Sequence, residues 1–391
     1  MMAVHRPTTI EALCEVVQTA AAGGTTLAIR GGGSKSAIGA PIGGADTLDM
    51  TAFSGLIDYV PADLVLVAGA GTPLARIEAL VADRGQMLAF EPFDPAPLFG
   101  ETRGRATIGG VLAAGLSGPR RLSAGGARDH LLGFEAVSGR GEAMSGGARV
   151  VKNVTGYDLP KLIAGSWGRL AALTSVTLKT LPRPRATATL AIEGLGPEQA
   201  QAAMDAAMAS HAEIAAAAHL PASDGAPAYT LFRLAGFDPS VEARCTLLPA
   251  LLNAHGQLVR LDAAHAETLW AEVRDVTPLM NDRALWRILL PPSHGGGVAL
   301  GLNERGADWL IDWAGGLVWA CHNDAEMVRG MAHAVGGHAT LIRGSEPMRA
   351  RTPFLDPPAA GVARLAERVR RAFDPAGVFE TGRFLDQPDA H

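Results

Sequence analysis

Cysteine is scarce in this 391-residue sequence: Cys14, Cys245 and Cys321 stand far apart, with no CxxC spacing. Three isolated thiols are too few for an iron–sulfur cluster and offer no disulfide framework. They read as small buried residues of a chain kept in a reducing compartment. Charged residues amount to 19% and the formal net charge is −5, with no run of Lys or Arg interleaved with aromatics. Without a basic field, nucleic acid is not expected as a partner. No uninterrupted apolar stretch reaches the length that spans a bilayer, and the first residues lead into an amphipathic segment rather than an apolar leader. The expectation is a cytoplasmic chain without a membrane span, with attachment to the inner membrane face through a partner left open. His294, His322 and His338 lie apart in no close ligand spacing, so no metal is expected.

What the chain has in quantity is glycine (47), proline (25) and hydrophobic residues (48%). That composition describes a dense globular protein with many turns, long enough for two domains. A capping box from Thr8 to Glu11, the apolar set Leu13, Val16, Val17 and Ala20, and the stop Gly23-Gly24 predict an opening helix. A β-rich run over 25–30 feeds Gly31-Gly32-Gly33-Ser34-Lys35, and strands follow at 47–50, 55–60 and 64–68. Pro73 starts a helix that Gly85 stops. From 107 to 158 glycine dominates and periodicity fades, which predicts long loops of the kind that bind something.

After Leu181-Pro182-Arg183-Pro184 the texture turns alanine-rich. Strand 187–192, helix 197–210, strands 213–219 and 227–234, helix 239–254 and strand 257–262 follow in a split βαβ order. No exact long-period repeat is visible. A strand at 338–343 closes this second domain, and a helix at 361–373 leads into a tail expected to pack back on the first. The reading is α+β: a first domain over 1–185, a cap over 186–340 and a C-terminal segment over 341–391.

A strand entering three glycines can turn several backbone N–H groups inward, since glycine accepts positive φ and has no Cβ to block an approaching phosphate. A plain surface turn fits the same residues. The P-loop pattern fails, because Ser34 precedes Lys35 and Ile29 holds the earlier glycine position. The dinucleotide fingerprint must open a helix, whereas Gly39, Pro41, Gly43 and Gly44 follow Ser34. A second glycine-rich region carries Ala106-Thr107-Ile108-Gly109-Gly110, then Gly115-Leu116-Ser117-Gly118-Pro119-Arg120-Arg121 and Gly125-Gly126-Ala127-Arg128-Asp129. Beyond it come Lys152-Asn153-Val154-Thr155-Gly156-Tyr157-Asp158 and Gly165-Ser166-Trp167-Gly168.

These blocks, in this order after the first loop, resemble the FAD-binding domain of the vanillyl-alcohol-oxidase family, also called PCMH-type. The segments 115–121, 152–158 and 373–384 resemble in particular the FAD-binding subunits of bacterial glycolate oxidases. The resemblance runs over about 8–184 and resumes over 338–384. It implies a two-lobed FAD domain with a ferredoxin-like split βαβ cap. It places the diphosphate on Arg30, Gly31, Gly32, Gly33, Ser34 and Lys35 and on Thr107, Ile108, Gly109 and Gly110. Ser117, Gly118, Gly126 and Asp129 fall along the ribityl and adenosine portions, and Lys152, Asn153, Gly156, Tyr157 and Asp158 near the flavin. Cations at Arg30 and Lys35 suit an anionic diphosphate.

Family members that bond flavin covalently use a histidine where this chain has Ser34, so FAD is expected to be noncovalent. Glu380-Thr381 replaces the asparagine-proline usual in the tail, which puts a tail contact to the flavin in doubt. The resemblance further implies a role in a complex that oxidises glycolate to glyoxylate, or D-lactate to pyruvate. The expected partners are a second, catalytic FAD subunit and an iron–sulfur subunit. The histidine-rich segment of the catalytic subunits is missing. Arg283, Arg287 and Arg343 are candidates for a substrate carboxylate beside the plainer reading as ordinary surface arginines, and no catalytic base is assigned. Trp286, Trp309, Trp313 and Trp319 read as core more readily than as a pocket lining. A self-sufficient FAD-dependent 2-hydroxy-acid dehydrogenase and a structural subunit with a vestigial flavin site are the rival readings.

Overall fold

The computed structural model describes residues 2–147, 157–223 and 225–384. The chain forms two compact units: 1–117, 125–183 and 357–391 make the first, and 118–124 with 184–356 make the second. The division falls at 183/184 and 356/357, and the short stretch 118–124 groups with the second unit.

The first unit begins with the helix Ile10–Gly23, capped by Thr9, whose side chain accepts from the Ala12 N–H, and ended by Gly24 at φ 65°. The cap is thus Thr9 rather than Thr8, one residue from the expected position. Leu13, Val17 and Ala20 form its buried stripe. A small parallel sheet is ordered Val4–His5, Asp46–Asp49, Leu27–Arg30. An antiparallel sheet is ordered Leu56–Val60, Val65–Gly69, Ala171–Lys179, Leu131–Ser138, Ala143–Gly147. Phe90, Ile108, Leu112, Phe134 and Val176 pack in the core associated with the larger sheet.

The stretch read as long loops from 107 onward is more structured than its composition implies. It contains the helices Ile108–Ala114, Arg121–Ala124 and Ala127–His130 and the strands Leu131–Ser138 and Ala143–Gly147. The helices are one or two turns long and are held by tertiary hydrogen bonds: the N–H groups of Ile108 and Gly109 donate to the carbonyls of Thr72 and Ala70 at 2.9 and 2.8 Å.

The second unit is built on an eight-stranded sheet. Its order is Leu258–Arg260, Ala186–Glu193, Tyr229–Gly236, Ala216–Leu220, Asp308–Asp312, Leu317–Cys321, Leu285–Leu289, His338–Arg343. The first four strands, with helices Pro197–Ala209 and Asp238–Leu251, have the split βαβ order. The last four, with Gly295–Glu304 and Ala325–Ala334, repeat it. The halves meet at the single pairing of His219 with Ile311. One core runs through both, with Phe232, Leu248, Trp286, Ile288, Trp309 and Val318 on the helix-covered face.

Candidate functional site

The strand Leu27–Arg30 ends where the Met50 N–H bonds to the Arg30 carbonyl at 2.8 Å, and the chain then leaves the sheet as the glycine loop. No backbone N–H of Gly31, Gly32, Gly33, Ser34 or Lys35 donates to another described residue. Donors left free by the protein in this way are open to the oxygens of a ligand or to water. This run borders a cavity of about 310 Å³. The cavity takes in Arg30 through Ser36, Thr107, Gly109 and Gly110, the turn Ser166-Trp167-Gly168, Arg383, and apolar surface from Met50, Ala113, Ile163 and Leu173.

The loop is held by close approaches that tolerate no side chain. A Cβ on Gly32 would stand 1.7 Å from the Arg105 carbonyl oxygen, and one on Gly31 would stand 2.3 Å from Thr107 Oγ1. Gly33 has φ 83° and is flanked by the guanidinium groups of Arg30 and Arg105. Arg105 Nε donates to the Gly32 carbonyl at 3.1 Å, and Arg105 also pairs with Glu101. Lys35 is half-buried, and its Nζ donates to Ser34 Oγ at 3.3 Å. Burial pushes the Lys35 ammonium down to about 8; Asp94 acts to hold it up and Arg383 to lower it further.

Asp94 was not singled out from the sequence, yet it sets the second wall. Its carboxylate accepts the N–H groups of Ala96, Gly104, Arg105 and Ala106 at 2.8 to 3.2 Å. This fixes the stretch that presents Arg105 to Gly32 and Thr107 to Gly31. The turn 165–168 stands out in the sequence only through its family resemblance. It hangs on the helix Ile108–Ala114, with Gly165 and Trp167 N–H groups donating to the Leu112 and Ala113 carbonyls at 3.0 and 2.8 Å, and Trp167 and Gly168 adopt φ 57° and 80°. Arg383 ties the tail to the loop by donating to the carbonyls of Ile38 at 2.6 Å and of Lys35. Glu380, the departure noted in the tail, forms a two-pronged pair with Arg169 at 2.9 and 3.0 Å.

Among the described residues, the other sequence candidates do not border this cavity. Ile108 is fully buried in the core, and both its N–H and that of Gly109 are already bonded. Ser117 is buried and accepts the Ala127 N–H at 2.9 Å. Gly126 begins the helix Ala127–His130, its N–H bonded to Asp129 at 2.8 Å. Gly118 belongs to the second unit, where its carbonyl accepts Trp313 Nε1 at 3.0 Å. Tyr157 is fully exposed, and Asp158 precedes the helix Leu159–Ile163. Lys152, Asn153 and Gly156 lie outside the described residues. Trp286, Trp309, Trp313 and Trp319 are all buried.

An FAD binding domain model matches residues 1–147. The chain is 35% identical over 381 residues to glycolate oxidase subunit GlcE of Escherichia coli strain K12, covering 95% of this chain and 96% of that one. It is 36% identical over 128 residues to a D-lactate dehydrogenase of Archaeoglobus fulgidus, 33% of this chain and 27% of that protein. Among solved structures it is similar to 4-ethylphenol oxidase from Gulosibacter chungangensis, with a TM-score of 0.68 at 14% identity over 97% of this chain and 88% of that one, a likeness of fold. A cradle of N–H groups and cations suits the diphosphate of FAD, the FAD binding domain match covers this loop, and the Escherichia coli relative is matched over nearly its whole length. The chain belongs to the GlcE family of FAD-binding glycolate oxidase subunits.

Proposed function

We propose that this chain is the FAD-carrying subunit of a complex that oxidises glycolate to glyoxylate, or D-lactate to pyruvate, and that it takes part in electron transfer. The observation that carries the reading is the run of five backbone N–H groups from Gly31 to Lys35, without a partner among the described residues, along a cavity that Lys35 and Arg383 also line. Backbone N–H groups and cations hold a diphosphate without reorganising. In this reading Gly31 to Lys35 and Gly110 hold the diphosphate, with Arg30 and Arg105 supplying charge. Ile108 and Asp94 position the two walls. Ser117, Gly126 and Asp129 act by fixing the turns around the helix Ala127–His130. When bound, FAD would supply an acceptor for the electrons that a partner subunit removes from the hydroxy acid.

The name of the Escherichia coli relative supports a multi-subunit assembly. The partners proposed are a second FAD-containing subunit and an iron–sulfur subunit. No helix among the described residues is long and apolar enough to cross a membrane. A cytoplasmic location, at the inner membrane face through those partners, is proposed with the assembly. The test is the absorbance spectrum of the purified chain, recorded anaerobically before and after glycolate or D-lactate. The expected result is a flavin spectrum that stays oxidised in the isolated chain and bleaches once the partner subunits are added. Bleaching of the isolated chain would establish a self-sufficient dehydrogenase, and a colourless chain would end the cofactor reading.

A further inference from the structure

Among the three arginines set aside for a carboxylate, two have structural partners. Arg283 pairs with Asp308 and donates to the Gly306 carbonyl, and Arg343 donates to the carbonyls of Leu279 and Arg283. Arg287 has neither a hydrogen bond nor an ion pair among the described residues. It lies in the strand Leu285–Leu289, paired in register with Trp319 and Thr340. Alternation along the strand puts it on the sheet face opposite Trp286 and Ile288, away from the helix-covered core.

Arg121, a charge of the same sign, shares an aromatic neighbour with it. The Cζ atoms of Arg121 and Arg287 lie 4.3 and 5.1 Å from the centre of the Trp313 indole. The indole is itself fixed: Trp313 is buried, and its Nε1 donates to the Gly118 carbonyl. Asp312 already accepts the Trp313 N–H at 2.7 Å. Trp313 and Ala314 have φ of 52° and 50°, a conformation that costs non-glycine residues roughly 1–3 kcal/mol each and persists where the surroundings impose it. Burial and then the Arg121 charge push Arg287 down to about 10, with Asp312 acting the other way. Two guanidinium groups on one indole, one of them half-buried with no hydrogen bond or ion pair among the described residues, form an arrangement that an oxyanion would complete.

We propose that Arg121, Arg287 and Trp313 form a binding site for a small carboxylate, the acid end of a 2-hydroxy acid. Arg287 presents a planar fork to the carboxylate, Arg121 closes the exposed side, and the indole holds the two at a fixed separation. Thr340, paired with Arg287 across the two strands, places a hydroxyl beside it. That the carboxylate belongs to a 2-hydroxy acid rests on the function proposed above; the anion site itself stands on residues of the second unit alone.

The probe is oxalate, a small acid that offers no hydroxyl to oxidise, titrated calorimetrically into the purified full-length chain. Flavin content is recorded from each sample's spectrum. The wild-type chain is expected to bind oxalate, and Arg287→Met and Arg121→Gln each to weaken binding by roughly tenfold or more at unchanged flavin content. Arg287→Met also removes an unpaired charge, so its melting temperature should rise while binding falls; a purely structural arginine would do the reverse. A folded wild-type chain that ignores oxalate overturns the proposal, as does equal binding by Arg287→Met. A colourless wild-type chain that still binds oxalate through Arg287 supports the site while removing the cofactor reading.

Discussion

Gly32 approaches the Arg105 carbonyl so closely that a Cβ would stand 1.7 Å from its oxygen, and backbone on both sides leaves neither partner free to yield. Gly32→Val should cost about 3 kcal/mol, or displace the loop and its N–H groups, and either route empties the cradle. Gly110 differs: a Cβ there meets Thr107 Oγ1 at 3.3 Å and Lys35 Nζ at 3.9 Å, both side-chain atoms. Gly110→Ala should keep its flavin and Gly32→Val should lose it, as read from the flavin-to-protein absorbance ratio. Retention of stoichiometric flavin by a folded Gly32→Val chain would contradict the placement of the diphosphate. Three glycines after a strand fit a plain surface turn equally well, and the loop became readable only together with the ordered glycine-rich blocks from 106 onward. Asp94 was not readable. A lone aspartate before a proline looks like an ordinary turn, and nothing in the sequence shows that it gathers N–H groups 10 to 12 residues further on.

At the scale of elements, the tail after Ala360–Phe373 serves the first unit as an extra edge. The Leu27 N–H donates to the Val378 carbonyl at 2.7 Å, and the Ala40 N–H to that of Arg383 at 2.8 Å. Asp374 turns the chain into this course. Fully buried, its carboxylate accepts the Val378 and Phe379 N–H groups at 2.8 and 2.9 Å, and a Cβ on Gly139 would stand 2.3 Å from it. Asp374→Ala leaves two buried donors without a partner and should cost about 3 kcal/mol, with Asp374→Asn recovering part of it. Urea unfolding measures both, and a midpoint unmoved by the alanine would show that the tail adds nothing to the unit. Elements with caps or clean periods were legible: the helix from residue 10 with its glycine stop, the proline-started helix after Pro73, and the alternating strands and helices of the cap. The strand Leu131–Ser138 was not. It is buried on both faces, carries Gly133, and slips register at Leu131/Gly133 and Glu135/Ala136, so no alternation survives in its sequence. The short helices around it fold by tertiary bonding that glycine-rich composition does not advertise.

On the scale of the whole molecule, the second unit is a doubled split βαβ whose halves share a topology without a shared sequence pattern. The first half has alanine strands and the second is rich in tryptophan, so an order repeated in space left no repeat to read. The halves join where His219 pairs with Ile311, and this seam carries a pH dependence. His219 is almost wholly buried, stacks on Trp309 with ring centres 5.6 Å apart, and shares a 3.0 Å hydrogen bond with Thr230. Burial pushes its imidazole down to about 4. Between that value and the unfolded value near 6.5 the unfolded chain binds the proton and the folded chain does not. Stability is therefore lost as pH falls from about 6.5 to about 4, and does not change further through this residue below that. The loss should be on the order of 2 kcal/mol by pH 5. Calorimetry at pH 7 and pH 5, on wild type and His219→Gln, isolates the effect from carboxylates elsewhere, since these titrate alike in both chains. The wild type should lose more of its melting temperature than the variant. Equal losses would mean that the seam opens to water or that His219 is already charged at neutral pH, and the pH sensitivity of the cap would then have to reside in other groups.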